Sequence, residues 1–280
     1  MRIKILAFVL ILNIFSIVMA ENMQTNIEYG RVGDEALLLD VNSPNGDGPF
    51  PIVLIVHGGG WVRGDKQGDE KVLFEPLTEA NFVWFSINYR LAPKNRWPAC
   101  FDDVKTAIRW IKANAGKYKG DPNRIAILGY SAGGQLACLA GVAADKDTMV
   151  QAVVGLAAPT DLVFDSLRRG GMSIYMKDLF GLQGTDVNTP TAVQMLWDAS
   201  PINHLRLGLP PVLLVHGTAD KSVPYQLSLN FKGRLDAIGV PCEIITIKDA
   251  QHKIVEWNKF DADFTDKITS WLNKTLKATE

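Results

Sequence analysis

The chain has 280 residues, 47% hydrophobic and 21% charged, a balance that excludes a disordered polar chain and supplies apolar surface for a large core. With 29 basic against 30 acidic side chains the net charge is −1, which gives no electrostatic reason to seek nucleic acid. The three cysteines, Cys100, Cys138 and Cys242, are far apart and lack CxxC spacing, so a zinc site is unsupported.

The first twenty residues stand apart. Arg2 and Lys4 form a short basic start, Ile5–Val18 is almost wholly apolar, and Val18-Met19-Ala20 ends on a small residue, the pattern of a cleaved secretory leader. The alternative is an uncleaved anchor, but the apolar run is shorter than the ~20 residues a spanning helix needs. Residues 1–20 are therefore expected to be a signal peptide, leaving 27 basic against 30 acidic residues in an exported chain, periplasmic or secreted, with no stable membrane anchor. Export permits a disulfide. Cys138 falls in a helical stretch and reads as a buried side chain, while a Cys100–Cys242 pair is left open.

Residues 21–280 show no internal repeat, low-complexity tract or charge run and read as one domain. A hairpin-like start spans residues 26–41. Short apolar runs follow at Ile52–Val56, Phe82–Ile87, Ile125–Leu128, Ala152–Leu156, Val212–Val215 and Ile244–Ile247. Being continuous rather than alternating, they predict strands covered on both faces. Between them helical stripes recur: Leu73, Pro76, Leu77 and Ala80; Val104, Ala107, Ile108 and Ile111; Leu227, Phe231, Leu235 and Ile238, closed by Gly239. A last stripe holds Phe264, Ile268, Trp271 and Leu272. The alternation predicts an α/β fold with a mostly parallel central sheet and helices on both faces.

Such sheets bind ligands at the carboxyl ends of their strands. There lie "HGGGWVRGDK" (57–66), Gly129-Tyr130-Ser131-Ala132-Gly133, "HGTADKSVP" (216–224) and "KDAQHKI" (248–254). The G-x-S-x-G turn between strand and helix is too sharp for side chains beside the serine, and it pushes the Ser131 hydroxyl into the cleft. A serine hydroxyl needs a base. His57 and His216 end strands just before glycine, where an imidazole commonly fixes a loop, and His204 has no strand-end placement. His252 is left as general base. Its carboxylate partner is expected to be Asp220, with Asp249 and Asp161 as rivals; Asp249 is three residues from His252 and better placed to order its own turn. The oxyanion formed by attack on a carbonyl needs aimed N–H donors, which the glycine run 58–60 and Ala132 can supply. Trp61 and Tyr130, beside these motifs, are the candidate substrate contacts, Trp61 having a core role as its alternative. This chemistry requires no metal and no cofactor.

The chain resembles the α/β-hydrolase family, and within it bacterial esterases related to hormone-sensitive lipase and to acetyl xylan and feruloyl esterases. The resemblance rests on "HGGGW" with "GDK", "NYRLAP" (88–93), "WPACFDD" (97–103), "GDPNRIAILGYSAGG" (120–134), "HGTADKSVP" and His252, and extends from about residue 28 to the end. It implies Ser131 as nucleophile, Asp220 as acid, His252 as base and an oxyanion hole of Gly59, Gly60 and Ala132. It also implies structural roles for Arg90, Asp102 and Asp103. Few residues separate the expected leader from the first strands, so the long N-terminal cap helices of hormone-sensitive lipase relatives are not expected here. An open cleft is expected, covered only by a small insertion around residues 160–204, where Met172, Tyr175, Met176 and Phe180 would form an apolar wall or pack internally. The resulting expectation is a secreted serine carboxylesterase for short-chain or carbohydrate-linked (acetyl or feruloyl) esters. A prolyl-type peptidase and a non-catalytic binding module of the same fold are the alternatives.

Overall fold

The computed structural model describes residues 22–182 and 189–277. The expected leader, residues 1–20, and residues 183–188 of the expected insertion lie outside the described residues. Eight strands form one sheet: β1 (Met23–Val32), β2 (Glu35–Asn42), β3 (Phe50–Val56), β4 (Val83–Ile87), β5 (Gly120–Tyr130), β6 (Ala152–Leu156), β7 (Val212–Gly217) and β8 (Cys242–Ile247). Their order is β1-β2-β4-β3-β5-β6-β7-β8. The β1–β2 and β2–β4 pairs are antiparallel and every other pair is parallel. This is the α/β architecture expected from the alternating strand and helix patterns.

Along the central strands successive residues point to opposite faces, and both faces are covered. On one, Leu54, Val56, Ile127, Val153 and Leu214 join a core with helices α2 (Ala99–Asn114) and α3 (Ala132–Val142). On the other, Val53, Ile55, Leu128, Val154 and Leu213 meet α1 (Phe74–Glu79) and α8 (Phe264–Thr275). Between β6 and β7 the described residues form three short helices, α4 (Leu162–Arg168), α5 (Ile174–Phe180) and α6 (Pro190–Asp198), and α7 (Tyr225–Ala237) joins β7 to β8. N-caps on Asp161, Ser173 and Thr189 start α4, α5 and α6, each side chain accepting a backbone N–H inside its helix.

Two strands depart from the apolar runs. β5 begins at Gly120, not Ile125, because Gly120 pairs with Phe50 across β3, so backbone pairing extends the strand beyond its apolar part. β8 is an edge strand, and Ile244 and Ile245 are only half-buried; a continuous apolar run there does not mean cover on both faces. All three cysteines are free and buried, with Cys100 inside α2 and Cys242 opening β8, so the Cys100–Cys242 disulfide left open by the sequence is not formed. Burial pushes both of those thiols up to about 12.

Candidate active site

The chain reverses direction at Ser131, where β5 stops and α3 starts. Ser131 has φ 54° and ψ −120°, a left-handed conformation that costs energy for a residue with a Cβ. Neighbours hold it there: its N–H donates to the Leu156 carbonyl at 2.8 Å and its carbonyl accepts the Gln135 N–H at 3.0 Å. The flanking glycines are sterically required. A Cβ on Gly129 would fall on the Gly133 carbonyl, and one on Gly133 on the carbonyls of Val56 and His57.

His252 lies in the loop after β8. Its Nε2 stands 2.9 Å from Ser131 Oγ, and its Nδ1 donates to Asp220 Oδ2 at 2.6 Å. The two bonds fix the tautomer: the carboxylate only accepts, so the proton sits on Nδ1 and Nε2 accepts from the serine hydroxyl. Tyr130 holds this loop, its hydroxyl donating to the His252 carbonyl at 2.8 Å while its ring packs 5.2 Å from the imidazole. Tyr130 also forms part of the cavity wall, but its hydroxyl is engaged with the histidine loop.

Asp220 follows β7. Its Oδ1 accepts the N–H groups of Ser222 at 2.8 Å and Val223 at 2.9 Å, and its Oδ2 also lies 3.3 Å from His216 Nε2. Burial alone raises the carboxyl, but bonds from His216, His252 and the Val223 N–H outweigh it and hold the group well below the usual carboxylate range. Asp220 is thus a fixed anion behind the imidazole. His216 is the second donor, a role the sequence did not reveal; its Nε2 also donates to the Val223 carbonyl at 2.9 Å and its Nδ1 accepts from Ser228 at 2.7 Å.

The other candidates are engaged elsewhere. Asp161 caps α4 and Asp249 is an exposed turn residue with φ 60°. His204 contacts the Asp198 carbonyl at 2.9 Å. His57 stacks on Tyr89 with ring centroids 4.2 Å apart, donates from Nδ1 to the Gly58 carbonyl at 2.7 Å, and is pushed down to about 4 by burial. Arg90 grips the buried Asp103 through bonds of 2.7–3.0 Å, whereas Asp102 pairs at the surface with Lys105.

Facing Ser131 is the glycine loop after β3. Gly59 and Gly60 have φ 113° and 64°, which suits residues without a Cβ. They border a cavity of about 700 Å³ together with Ser131, Ala132 and His252. The Ala132 N–H opens α3 and has no acceptor one turn back in its own helix. Trp61 is 4% exposed and its indole N–H donates to Gln135 Oε1 at 2.9 Å, so the edge it gives the cavity belongs to a side chain anchored in the core. Of the expected apolar wall, Met172 and Phe180 are buried in the core, while Met176 and the half-exposed Tyr175 line the cavity with Ile174. A buried carboxyl the sequence did not single out, Glu70, completes the loop's setting: it accepts the Gly58 N–H at 2.5 Å. Its signal was hidden in "GDKQGDE", a polar stretch with no apolar period.

Among the described residues no group of three or more His, Cys, Asp or Glu is placed to hold a metal, and no helix is long and apolar enough to cross a membrane. Chemically, the arrangement can take a proton from one hydroxyl, stabilise the resulting imidazolium and offer backbone N–H groups to a nearby anion.

The BD-FAE family model matches residues 39–235. Esterase LipC of Mycobacterium tuberculosis is 36% identical over 73% of this chain and 53% of its own length. The probable carboxylic ester hydrolase LipM of the same organism is 35% identical over 75% of this chain and 51% of its own. The chain spans about half the length of these curated relatives. A solved structure described as a truncated form of carbohydrate esterase from gut microbiota superposes with a TM-score of 0.80 at 25% identity, covering 90% of this chain and 95% of that one. The match spans most of the sheet and the loops that carry Ser131 and Asp220, so the chain belongs to the BD-FAE family, and it has the α/β-hydrolase fold.

Proposed function

We propose that the protein is an exported serine carboxylesterase acting on short-chain or carbohydrate-linked esters through an acyl-enzyme. The observation that carries this reading is the hydrogen-bonded series Ser131–His252–Asp220, opening on a cavity beside the glycine loop. His252 Nε2 takes the proton of Ser131 as Oγ bonds to the ester carbonyl carbon. The N–H groups of Gly59, Gly60 and Ala132 receive the negative oxygen, each such donor contributing ~10²–10³ in turnover. The imidazolium, stabilised by Asp220, then gives its proton to the departing alcohol. Water repeats the steps, its proton passing to His252 and its oxygen to the acyl carbon, and the carboxylic acid leaves with Ser131 restored.

Three features support the substrate class. The cavity is within the ~300–1,000 Å³ of small-molecule sites. Its lining mixes apolar Ile174, Tyr175 and Met176 with polar Arg63, Asp69 and Lys221, which suits a short acyl group joined to a polyhydroxylated alcohol. The structural relative described as a carbohydrate esterase agrees with that choice. Export rests on the leader pattern of residues 1–20. The test is turnover of acetyl, butyryl, octanoyl and feruloyl esters beside a proline peptide, with Ser131→Ala as control. Acetyl or feruloyl esters are expected to lead, with no turnover in the variant; ester hydrolysis unchanged in Ser131→Ala refutes the mechanism.

A further inference from the structure

The glycine loop can offer N–H groups to an anion only if its peptide planes are fixed, because residues lacking a Cβ otherwise rotate freely. In a trans peptide the C=O and the following N–H point in opposite directions, so a bond to either end sets the whole plane. Two consecutive planes are set this way. In the peptide joining residues 57 and 58, the carbonyl accepts the Tyr89 hydroxyl at 2.9 Å and the N–H donates to Glu70 Oε1 at 2.5 Å. In the next peptide the Gly58 carbonyl accepts from His57 Nδ1 at 2.7 Å, which leaves the N–H of Gly59 directed the opposite way. Steric contact adds to this, since a Cβ on Gly58 would lie 2.9 Å from the Tyr130 ring.

Glu70 is itself tied to the scaffold. It sits in a single 3₁₀ turn, Asp69–Leu73, whose Leu73 is fully buried with Phe74 and Leu77 in the core beneath the sheet. The loop leading to it is clamped at Lys66, whose carbonyl accepts the Ser86 hydroxyl at 2.7 Å, whose N–H donates to Asn88 Oδ1 at 2.7 Å, and whose ammonium pairs with Asp40 at 3.1 Å. Glu70 is 3% exposed, and no cation pairs with its carboxyl among the described residues. Burying an acid without a counter-charge is unfavourable: burial outweighs the N–H bonds from its own backbone and Gly58 and pushes the group up to about 7. Among the described residues, the one bond it makes outside its own turn is to the glycine loop. An apolar side chain would fill the same space at less cost, so the acceptor oxygen accounts for the presence of a carboxyl there.

We propose that Glu70 is a positioning residue that aims the oxyanion-binding amides of the glycine loop by accepting the Gly58 N–H. The proposal rests on the serine esterase reading. It predicts an effect confined to the transition state, because donors a substrate in its ground state hardly uses are the ones misdirected.

The experiment compares the full chain with Glu70→Met, which keeps the side-chain length but has no acceptor oxygen, and Glu70→Gln, which keeps one. Steady-state turnover of p-nitrophenyl acetate is measured with phenylboronic acid as a tetrahedral mimic on Ser131. In Glu70→Met, kcat is expected to fall ~10²-fold, the size expected for a ~1 Å misplacement, with KM within about threefold and boronate affinity falling in parallel with kcat. Glu70→Gln is expected to recover most of kcat. A Glu70→Met enzyme with kcat within about threefold of the parent overturns the proposal, as does equal loss in Glu70→Gln. Should Glu70→Met not fold, Glu70→Asp, which keeps the carboxyl but withdraws its oxygen by about one C–C bond, replaces it with the same expected split. The Gly58 amide proton of the unmodified protein gives a reading independent of turnover: a strongly downfield resonance supports the bond, and an ordinary glycine shift overturns it. Ser131→Ala, assayed alongside, reports on the esterase reading separately, since turnover surviving there refutes that reading whatever the Glu70 variants do.

Discussion

Replacing Asp220 with Asn tests the relay at its most constrained point. The carboxylate faces only donors: the N–H groups of Ser222 and Val223 on Oδ1, and His252 Nδ1 with His216 Nε2 on Oδ2. An amide has one acceptor oxygen, and the two backbone donors cannot change character, so that oxygen goes to them. The NH₂ then faces His252, whose Nδ1 must become an acceptor. The ring proton moves to Nε2, which points at Ser131 Oγ at 2.9 Å and can no longer take its proton. A wrong tautomer in an otherwise intact site costs ~10⁴ in kcat, or about 5 kcal/mol at 1.36 kcal/mol per decade. The assay is kcat and KM for p-nitrophenyl acetate from pH 6 to 9, with a thermal melt to show that the variant is folded. Asp220 is ionised across that range, being held well below the usual carboxylate values, so the deficit is not a titration of the parent's carboxylate. A folded Asp220→Asn enzyme within tenfold of the parent would refute the tautomer argument.

Other consequences are equally measurable. Gly133→Ala puts a Cβ onto the carbonyls of Val56 and His57; it is expected to cost several kcal/mol, in the exceptional range for single substitutions, seen as a lower urea midpoint together with lost turnover. Glu70's own contribution to stability is expected to fall with rising pH, opposite in sign to that of His57, which burial holds down to about 4. Its carboxyl, raised from 4.5 to about 7, binds more proton folded than unfolded between those values, so this contribution is full at the acidic end and on the order of 3 kcal/mol of it is lost across the window. Glu70→Gln is therefore expected to gain stability relative to the parent as pH rises from 5 to 8, read from denaturant midpoints; a pH-independent difference would show that Glu70 does not titrate there.

The strand-end motifs make most of the candidate site legible in the sequence alone. Ser131, Asp220 and His252 each follow an apolar run, and a parallel sheet brings the ends of such runs to one edge, so local sequence carried long-range information. Glu70 and His216 were not legible as site residues for the opposite reason. Their contribution is a hydrogen bond to a particular backbone or side-chain atom, and neither spacing nor composition encodes which atom lies opposite. Trp61 illustrates the same limit, since only the position of Gln135 shows that its indole N–H is held inside. The fold was readable except where neighbours decide: β5 reaches back to Gly120 because that residue pairs with Phe50 across a register shift, and β8 keeps an apolar run despite having a neighbour on one side only.

That single-sided pairing has a kinetic side. The strand leading to Ser131 lies between two partners in the middle of the sheet, whereas the segment bearing His252 hangs from one of its two edge ribbons. Outer ribbons open at lower free energy than the molecule as a whole. Warming should therefore detach His252 while the rest remains native, so that under the proposed mechanism loss of turnover comes earlier and is more reversible than melting.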